Sequence, residues 1–236
     1  MQYFLNKNIL DIFFANQCIV CQQISNVNLC SQCLLQINTK PNLWIKNNNT
    51  SQSIFSPTFN TVLNRNLQNS YIDSILTCTD FKHHIIKKSI HYLKYKNLPN
   101  LAQPLGSIML RTLSQNLRIK NNIVLCPIPL HINRLKFRGY NQAFLLAKYL
   151  NSHLNFPIYT DLYRIKDTPH QMKISDRKNR IENVSNAFEV KKNTNINGQH
   201  LIIIDDVTTT LSTIQQAAKA MSKLGFNSIN ALILAH

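Results

Sequence analysis

His200-Leu-Ile-Ile-Ile-Asp-Asp-Val-Thr-Thr-Thr-Leu-Ser-Thr-Ile-Gln-Gln-Ala-Ala218 decides the fold. Leu201 to Ile204 is a short, mostly β-branched run, the pattern of a strand buried on both faces. Thr208 to Thr213 is a hydroxyl-rich turn. From Thr213 onward Ile214, Ala217, Ala218, Met221 and Leu224 recur at helical spacing, and Gly225 stops the helix. Asp205 and Asp206 therefore stand at the C-terminal end of a central strand, directly before a helix N-terminus. Ligands of open α/β sheets bind at that edge. Backbone N–H groups at the helix start favour an anion, and two carboxylates suit hydroxyl donors. The plainer alternative is an ordinary strand-to-helix turn capped by Asp206 or a threonine.

A phosphate beside a diol is a ribose 5-phosphate. The stretch resembles the phosphoribosyl-pyrophosphate (PRPP) motif of type I phosphoribosyltransferases over Leu201 to Val207, Thr209, Thr210 and Thr213. It departs at Leu211, where that family usually has glycine. Glycine permits φ > 0 and close approach of backbone to phosphate. We expect φ > 0 at Leu211, at a cost of about 1–2 kcal/mol. Leu211→Gly is then expected to tighten PRPP binding.

The rest of the chain reads as alternating strands and helices, which indicates a parallel α/β sheet flanked by helices. Strands are expected at Ile75 to Phe81, Ile123 to Pro129, Pro157 to Ile165 and Ser228 to Ala235. Helices are expected at His83 to Lys96, Leu101 to Leu117 and Gln142 to Leu154. Leu130 to Tyr140 reads as a loop carrying Arg134, Lys136 and Arg138. Lys166 to Asn186 reads as a polar segment, part helical, with Ser175 as a cap and Arg180 and Asn183 on one face.

Cys18-x2-Cys21 and Cys30-x2-Cys33 bring four thiols onto two turns, the spacing of a structural Zn²⁺ site; a pair of disulfides is the alternative, which a reducing compartment disfavours. A module this short has little core, so metal binding would supply its folding free energy. Cys78 and Cys126 sit in apolar runs and read as packing residues. The expected organisation is an N-terminal helix and zinc-ribbon-like module over 1–46, a linker over 47–70 rich in Asn, Ser and Thr, and a phosphoribosyltransferase-like domain over 71–236. Met1 to Asn16 reads as a short amphipathic helix rather than a signal peptide, and no run of 18 apolar residues appears. No membrane insertion is expected.

Charge narrows the ligand class. The formal net charge is +16, and Phe81 to Thr160 holds 12 Lys and Arg with no Asp or Glu. That favours polyanions: phosphorylated metabolites, single-stranded nucleic acid or an anionic surface. Heavy use of Asn, Lys and Ile is also what an AT-rich coding sequence produces, so part of the charge is compositional. Lys87, Lys88, Lys94, Lys96, Arg134 and Lys136 are the candidate nucleic-acid contacts, with Tyr92, Tyr95, Phe137 and Tyr140 as stacking partners.

Leu93-Lys-Tyr-Lys96, Pro127-Ile-Pro-Leu130-x3-Arg134-x3-Arg138-Gly-Tyr-Asn-Gln142, Gln171-x3-Ser175 with Arg180-x2-Asn183, and Asp205-Asp-Val-x-Thr-Thr210 follow the four cysteines in that order. Together they resemble the ComF family, amidophosphoribosyltransferase-like proteins of DNA uptake and natural competence that include those called GntX. The resemblance implies a type I phosphoribosyltransferase fold in a cytoplasmic protein that handles incoming single-stranded DNA, with a helicase partner. It also implies a PRPP pocket in which Thr209, Thr210, Leu211, Ser212 and Thr213 hold the 5-phosphate and Arg138 and Gly139 the pyrophosphate. Asp205 and Asp206 would hold the ribose hydroxyls as the catalytic acids, and Mg²⁺ would accompany PRPP. Three uses of that pocket stay open: transfer to an unknown acceptor, sensing of PRPP without turnover, and a retained pocket in a DNA-handling protein.

Overall fold

The computed structural model describes residues 17–46, 53–56, 61–63, 67, 70–119, 121–167, 187–190, 196 and 198–236. The expected N-terminal helix and the polar segment with Gln171, Ser175, Arg180 and Asn183 lie outside the described residues. In chain order the elements are α1 (Ser31–Leu35), β1 (Asn42–Ile45), β2 (Thr61–Leu63), β3 (Ser74–Thr79), α2 (His84–Tyr95), α3 (Ala102–Asn116), β4 (Ile123–Pro127), α4 (Ile132–Arg138), α5 (Gln142–Leu154), β5 (Leu162–Arg164), β6 (Phe188–Val190), β7 (His200–Val207), α6 (Ser212–Met221) and β8 (Ser228–Ala235). Short 3₁₀ turns precede α3 and follow α6.

Six strands form the main sheet in the order β2-β1-β3-β8-β7-β4. β3, β8, β7 and β4 run parallel, and β1 pairs antiparallel with β3. Side chains alternate between two buried clusters, one on each face, as a period of two requires. Ile202, Ile204, Leu232 and Leu234 join Leu146, Ala147 and Leu150 of α5. Leu201, Ile203, Ala231 and Ile233 join Ile214, Ala217, Ala218 and Met221 of α6. A strand covered on both faces has no polar face, which is why Leu201 to Ile204 of β7 reads as an unbroken apolar run. Gly106 lets α3 lie close to α5: a Cβ there would meet the Tyr149 ring at 2.6 Å.

The fold class is the expected one, an α/β sheet flanked by helices. Several elements differ in detail. Leu130 to Tyr140 is not a loop, because Ile132–Arg138 forms α4. That helix buries none of its residues, so it carries no apolar periodicity; His131 caps it through Nδ1 and Gly139 ends it at φ +78°. Of Pro157 to Ile165 only Leu162–Arg164 is a strand, paired antiparallel with β6 in a separate two-stranded ribbon. The sheet also takes in Asn42–Ile45 and Thr61–Leu63, which lie within the stretches expected as module and linker. Cys78 and Cys126 are fully buried, and burial pushes both thiols up to about 12. Among the described residues, no helix is long and apolar enough to cross a membrane.

Candidate functional site

β7 and β4 are neighbours, so their C-terminal ends open onto one edge. A cleft of about 110 Å³ lies there. β7 contributes Asp205 and Asp206, and α6 contributes Thr213 from its first turn. The segment after β4 supplies Ile128 and Leu130, α4 supplies Arg134 and Arg138, and β5 supplies Arg164. Asn141 and Gln142 line it from the start of α5, and Lys94 from the last turn of α2.

Local hydrogen bonds hold this edge together. Asn141 caps α5, its Oδ1 accepting from the Ala143 N–H at 3.0 Å, while its Nδ2 donates to the Ile128 carbonyl at 2.9 Å. Tyr140 donates its hydroxyl to the Leu93 carbonyl at 2.7 Å, tying the end of α2 to the α4–α5 corner. Arg138 donates to Gln142 Oε1 at 3.1 Å and lies 5.1 Å from the Tyr95 ring centroid. The Gln142 side chain is buried, and its Nε2 has no hydrogen-bond partner among the described residues. A buried amide donor at the wall of a cleft is suited to a ligand oxygen.

The acids are unlike one another. Asp206 is buried, its Oδ1 accepts from the Val207 N–H at 2.8 Å, and its Oδ2 lies 2.9 Å from Lys94 Nζ. Burial, and then the neighbouring Asp206 carboxylate, push the Asp205 carboxyl up to about 7 against the opposing pull of Lys94. Four cations, Lys94, Arg134, Arg138 and Arg164, line the cleft with these two carboxylates. Burial, reinforced by the nearby Arg134, lowers the Arg164 guanidinium from its usual value. Arg134 also donates from Nε to Asp167 at 3.1 Å. A protein-held Mg²⁺ does not fit the acid pair as it stands, because Asp206 Oδ2 already faces the Lys94 ammonium.

The turn before α6 is built from its own side chains. Thr208 is buried and its Oγ1 accepts from the Leu211 N–H at 3.1 Å. Thr210 and Ser212 share a hydroxyl hydrogen bond of 3.0 Å. Leu211 adopts φ +44°, ψ −8°, the left-handed region. Its side chain is buried in the cluster beneath α6 rather than placed over the cleft. The first helical bond runs from the Gln215 N–H to the Leu211 carbonyl, so the Thr213 and Ile214 N–H groups have no acceptor within the helix.

The expected site residues thus divide. Asp205, Asp206, Arg134, Arg138 and Thr213 line one cleft; Thr209 and Thr210 are exposed on the adjoining turn, and Gly139 is the α4 cap. Lys94 and Arg134, expected on a nucleic-acid surface, are drawn into the cleft. Lys87, Lys96 and Lys136 are exposed, and Lys88 is half-exposed with Nζ 5.9 Å from the Tyr92 ring centroid. Phe137 is 81% exposed and Tyr95 45%, so both present ring surface to solvent. Tyr140 is half-buried, and its hydroxyl donates to the Leu93 carbonyl. Sequence reasoning gives no role to Arg164, whose one signal is its place at the end of a strand before the polar segment. Asn141 and Gln142 stand within the Arg-Gly-Tyr-Asn-Gln run, but sequence alone gives neither side chain a role.

Near the other end of the chain, the sulfur atoms of Cys18, Cys21, Cys30 and Cys33 all lie within 4.8 Å of one another and can hold a metal ion. None is in a disulfide. Cys30 caps α1, and the N–H groups of Cys30 and Cys33 point to Cys18 and Cys30 sulfurs at 3.5 Å. Burial opposes ionisation of Cys18, but N–H donors, that of Cys30 first, more than offset it and bring its thiol down to about 6. Burial, with the other thiols around it, pushes Cys33 up to about 12.

No family model matches the chain. It is 37% identical over 111 residues to "Competence protein F" of Haemophilus influenzae, covering 46% of this chain and 48% of that protein. It is 30% identical over 141 residues to "Competence protein ComFC" of Bacillus subtilis, covering 60% and 55%. It is 29% identical over 151 residues to "DNA utilization protein YhgH" of Escherichia coli K12, covering 61% and 64%. The matches thus span from about half to just under two thirds of the length of these curated relatives.

Proposed function

We propose that the chain is a ComF-family protein that serves DNA uptake and utilization in the cytoplasm, handling incoming single-stranded DNA and retaining a PRPP-type pocket; its likeness to competence protein F and ComFC supports this reading. The observation that carries the pocket is the convergence of Asp205, Asp206, Arg138, Gln142 and the start of α6 on one cleft. In this reading Thr209, Thr210 and the Thr213 N–H bind the 5-phosphate. Asp205 and Asp206 accept from ribose hydroxyls. Arg138 forks onto the pyrophosphate and the Gln142 amide donates beside it. If a nucleophile replaces pyrophosphate at the anomeric carbon, the protein contributes position and charge rather than a covalent intermediate. Transfer to an acceptor and PRPP sensing are the alternative uses of this pocket.

The DNA surface of this reading is the exposed Lys87, Lys96 and Lys136 with the exposed rings of Tyr95 and Phe137, an arrangement of cations and stacking faces suited to single strands. A helicase of the uptake machinery is the expected protein partner. Zn²⁺ on the four thiolates holds the N-terminal module; four sulfur ligands leave no open position, so its role is structural. Calorimetry tests the pocket. PRPP should bind the wild type, and Asp205→Asn with Asp206→Asn should weaken it by about a hundredfold or more. Equal affinity in both proteins would end the PRPP reading. Pyrophosphate release with candidate acceptors separates transfer from sensing.

A further inference from the structure

We infer that Lys94 is the built-in counter-cation of the Asp205–Asp206 pair and keeps divalent metal off it, so that the cleft balances an anionic sugar phosphate with side chains alone. The substrate part of this inference rests on the PRPP-type reading; the part concerning Lys94 does not.

Position comes first. Lys94 Nζ lies 2.9 Å from Asp206 Oδ2, with side-chain exposures of 19% and 7%. The lysine is held at its root. Leu93, one residue before it, is fully buried, and the Leu93 carbonyl accepts the Tyr140 hydroxyl. One residue after it, Tyr95 lies against the Arg138 guanidinium. The end of α2 is thereby fixed to the α4–α5 corner, and the ammonium is held against Asp206 Oδ2.

Chemistry comes second. A small divalent cation demands several oxygen ligands at about 2.0–2.1 Å. On Asp206 it would stand next to an ammonium, with like charges at close range in a partly desolvated site. Displacing the ammonium would strip a mostly buried cation of its partner, which is costly. The cleft has little need of the metal's charge, because Arg134, Arg138 and Arg164 line it as well. Lys94 is thus a positioning residue: it orders Asp206 and sets the cation requirement of the pocket.

Mn²⁺ alone is the direct probe, read by electron paramagnetic resonance on the full chain with its cysteine site loaded with zinc. Thiolates prefer zinc to Mn²⁺, so the loaded module stays silent. Wild type should hold no Mn²⁺ on the acid pair. Lys94→Met should hold about one per chain, lost again when Asp205→Asn and Asp206→Asn are added. Lys94→Arg, which keeps the charge, should exclude Mn²⁺ as wild type does and controls for folding. Wild-type binding of Mn²⁺ that the double Asn variant loses would overturn the inference, and so would a Lys94→Met protein that gains no site. A second arm uses PRPP in EDTA and in Mg²⁺. Wild-type affinity should change by less than about threefold, while Lys94→Met should lose about tenfold or more in EDTA and recover with Mg²⁺. A wild type that needs Mg²⁺ would overturn the inference. Absence of PRPP binding in both media would remove the PRPP reading, and the Mn²⁺ arm would still decide the role of Lys94.

Discussion

The four-cysteine module takes all its ligating atoms from Cys18 to Cys33, whereas the cleft is lined from positions as distant as Lys94 and Thr213. Both gather charge-bearing side chains into a small volume. The module does so by local turns, with N–H groups of its own backbone bonded to its sulfurs. The cleft does so only because β4 pairs beside β7 and α2, α4 and α5 are tied at one corner. A site closed within one short stretch can be read from spacing and is as strong as its metal. A site closed by topology inherits the stability of the sheet, and its individual contacts are invisible in the sequence.

The largest effect should come from breaking the local site. Cys30→Ser removes one of the four proposed ligands and the α1 cap together. It should release zinc and lower Tm by more than about 5 °C. Cys18, Leu29, Cys33 and Ile37 share a buried cluster with Leu43 and Ile85, so the loss will reach the neighbouring face of the sheet. The sheet itself should persist in far-UV circular dichroism. Global unfolding would show that the module nucleates the fold, and the contrast between the two regions would fall.

Asp205 sharpens the other side. Its ordinary value is 3.8 and burial raises it to about 7 in the fold. The folded chain therefore binds more protons than the unfolded chain between those values, and stability falls as pH rises through that window. Chemical denaturation at about pH 5 and about pH 8 should show this slope, and Asp205→Asn should flatten it. An unchanged slope would mean that other groups carry the pH dependence.

The basic surface should give a smaller, graded response. Lys87→Gln, Lys88→Gln and Lys96→Gln together should reduce the salt slope of oligonucleotide binding by about 0.7 for each phosphate that is no longer neutralised. PRPP affinity should not move, because none of the three lines the cleft. If PRPP affinity falls with the slope, the surface and the cleft are one site.

Legibility follows the same division. The cysteine quartet and the β7–α6 unit are readable because periodicity and spacing within one segment define them. The Asp pair at the end of β7 follows from Leu201 to Ile204, although the strand runs on to Val207. α4 is not readable: a helix that buries nothing has no apolar stripe, and its basic residues read as a loop. Lys94 reads as one more cation on a basic helix, since its orientation toward Asp206 depends on a strand more than a hundred residues away. Arg164 escapes sequence reasoning for the same reason.

The smallest effect, and the finest test, concerns Leu211. Positive φ is expected there, and φ is +44°. The expected remedy does not follow, because the strained geometry already exists in the fold and PRPP need not induce it. The Leu211 side chain is moreover only 7% exposed and packs beneath α6. Leu211→Gly should therefore leave PRPP affinity within about threefold while destabilising the protein. Truncating a buried leucine costs about 2–5 kcal/mol. Leu211→Ala loses the same packing and keeps the left-handed strain of about 1–2 kcal/mol. Glycine removes that strain at an entropic cost of about 0.5–1 kcal/mol. Glycine should then be the more stable of the two variants by about 0.5–1 kcal/mol, the reverse of their order in an ordinary helix or strand. Urea denaturation of both proteins reads the sign directly. A more stable alanine variant would mean that residue 211 is not held at positive φ in solution, and the turn before α6 would have to be rebuilt with the Thr213 and Ile214 N–H groups elsewhere.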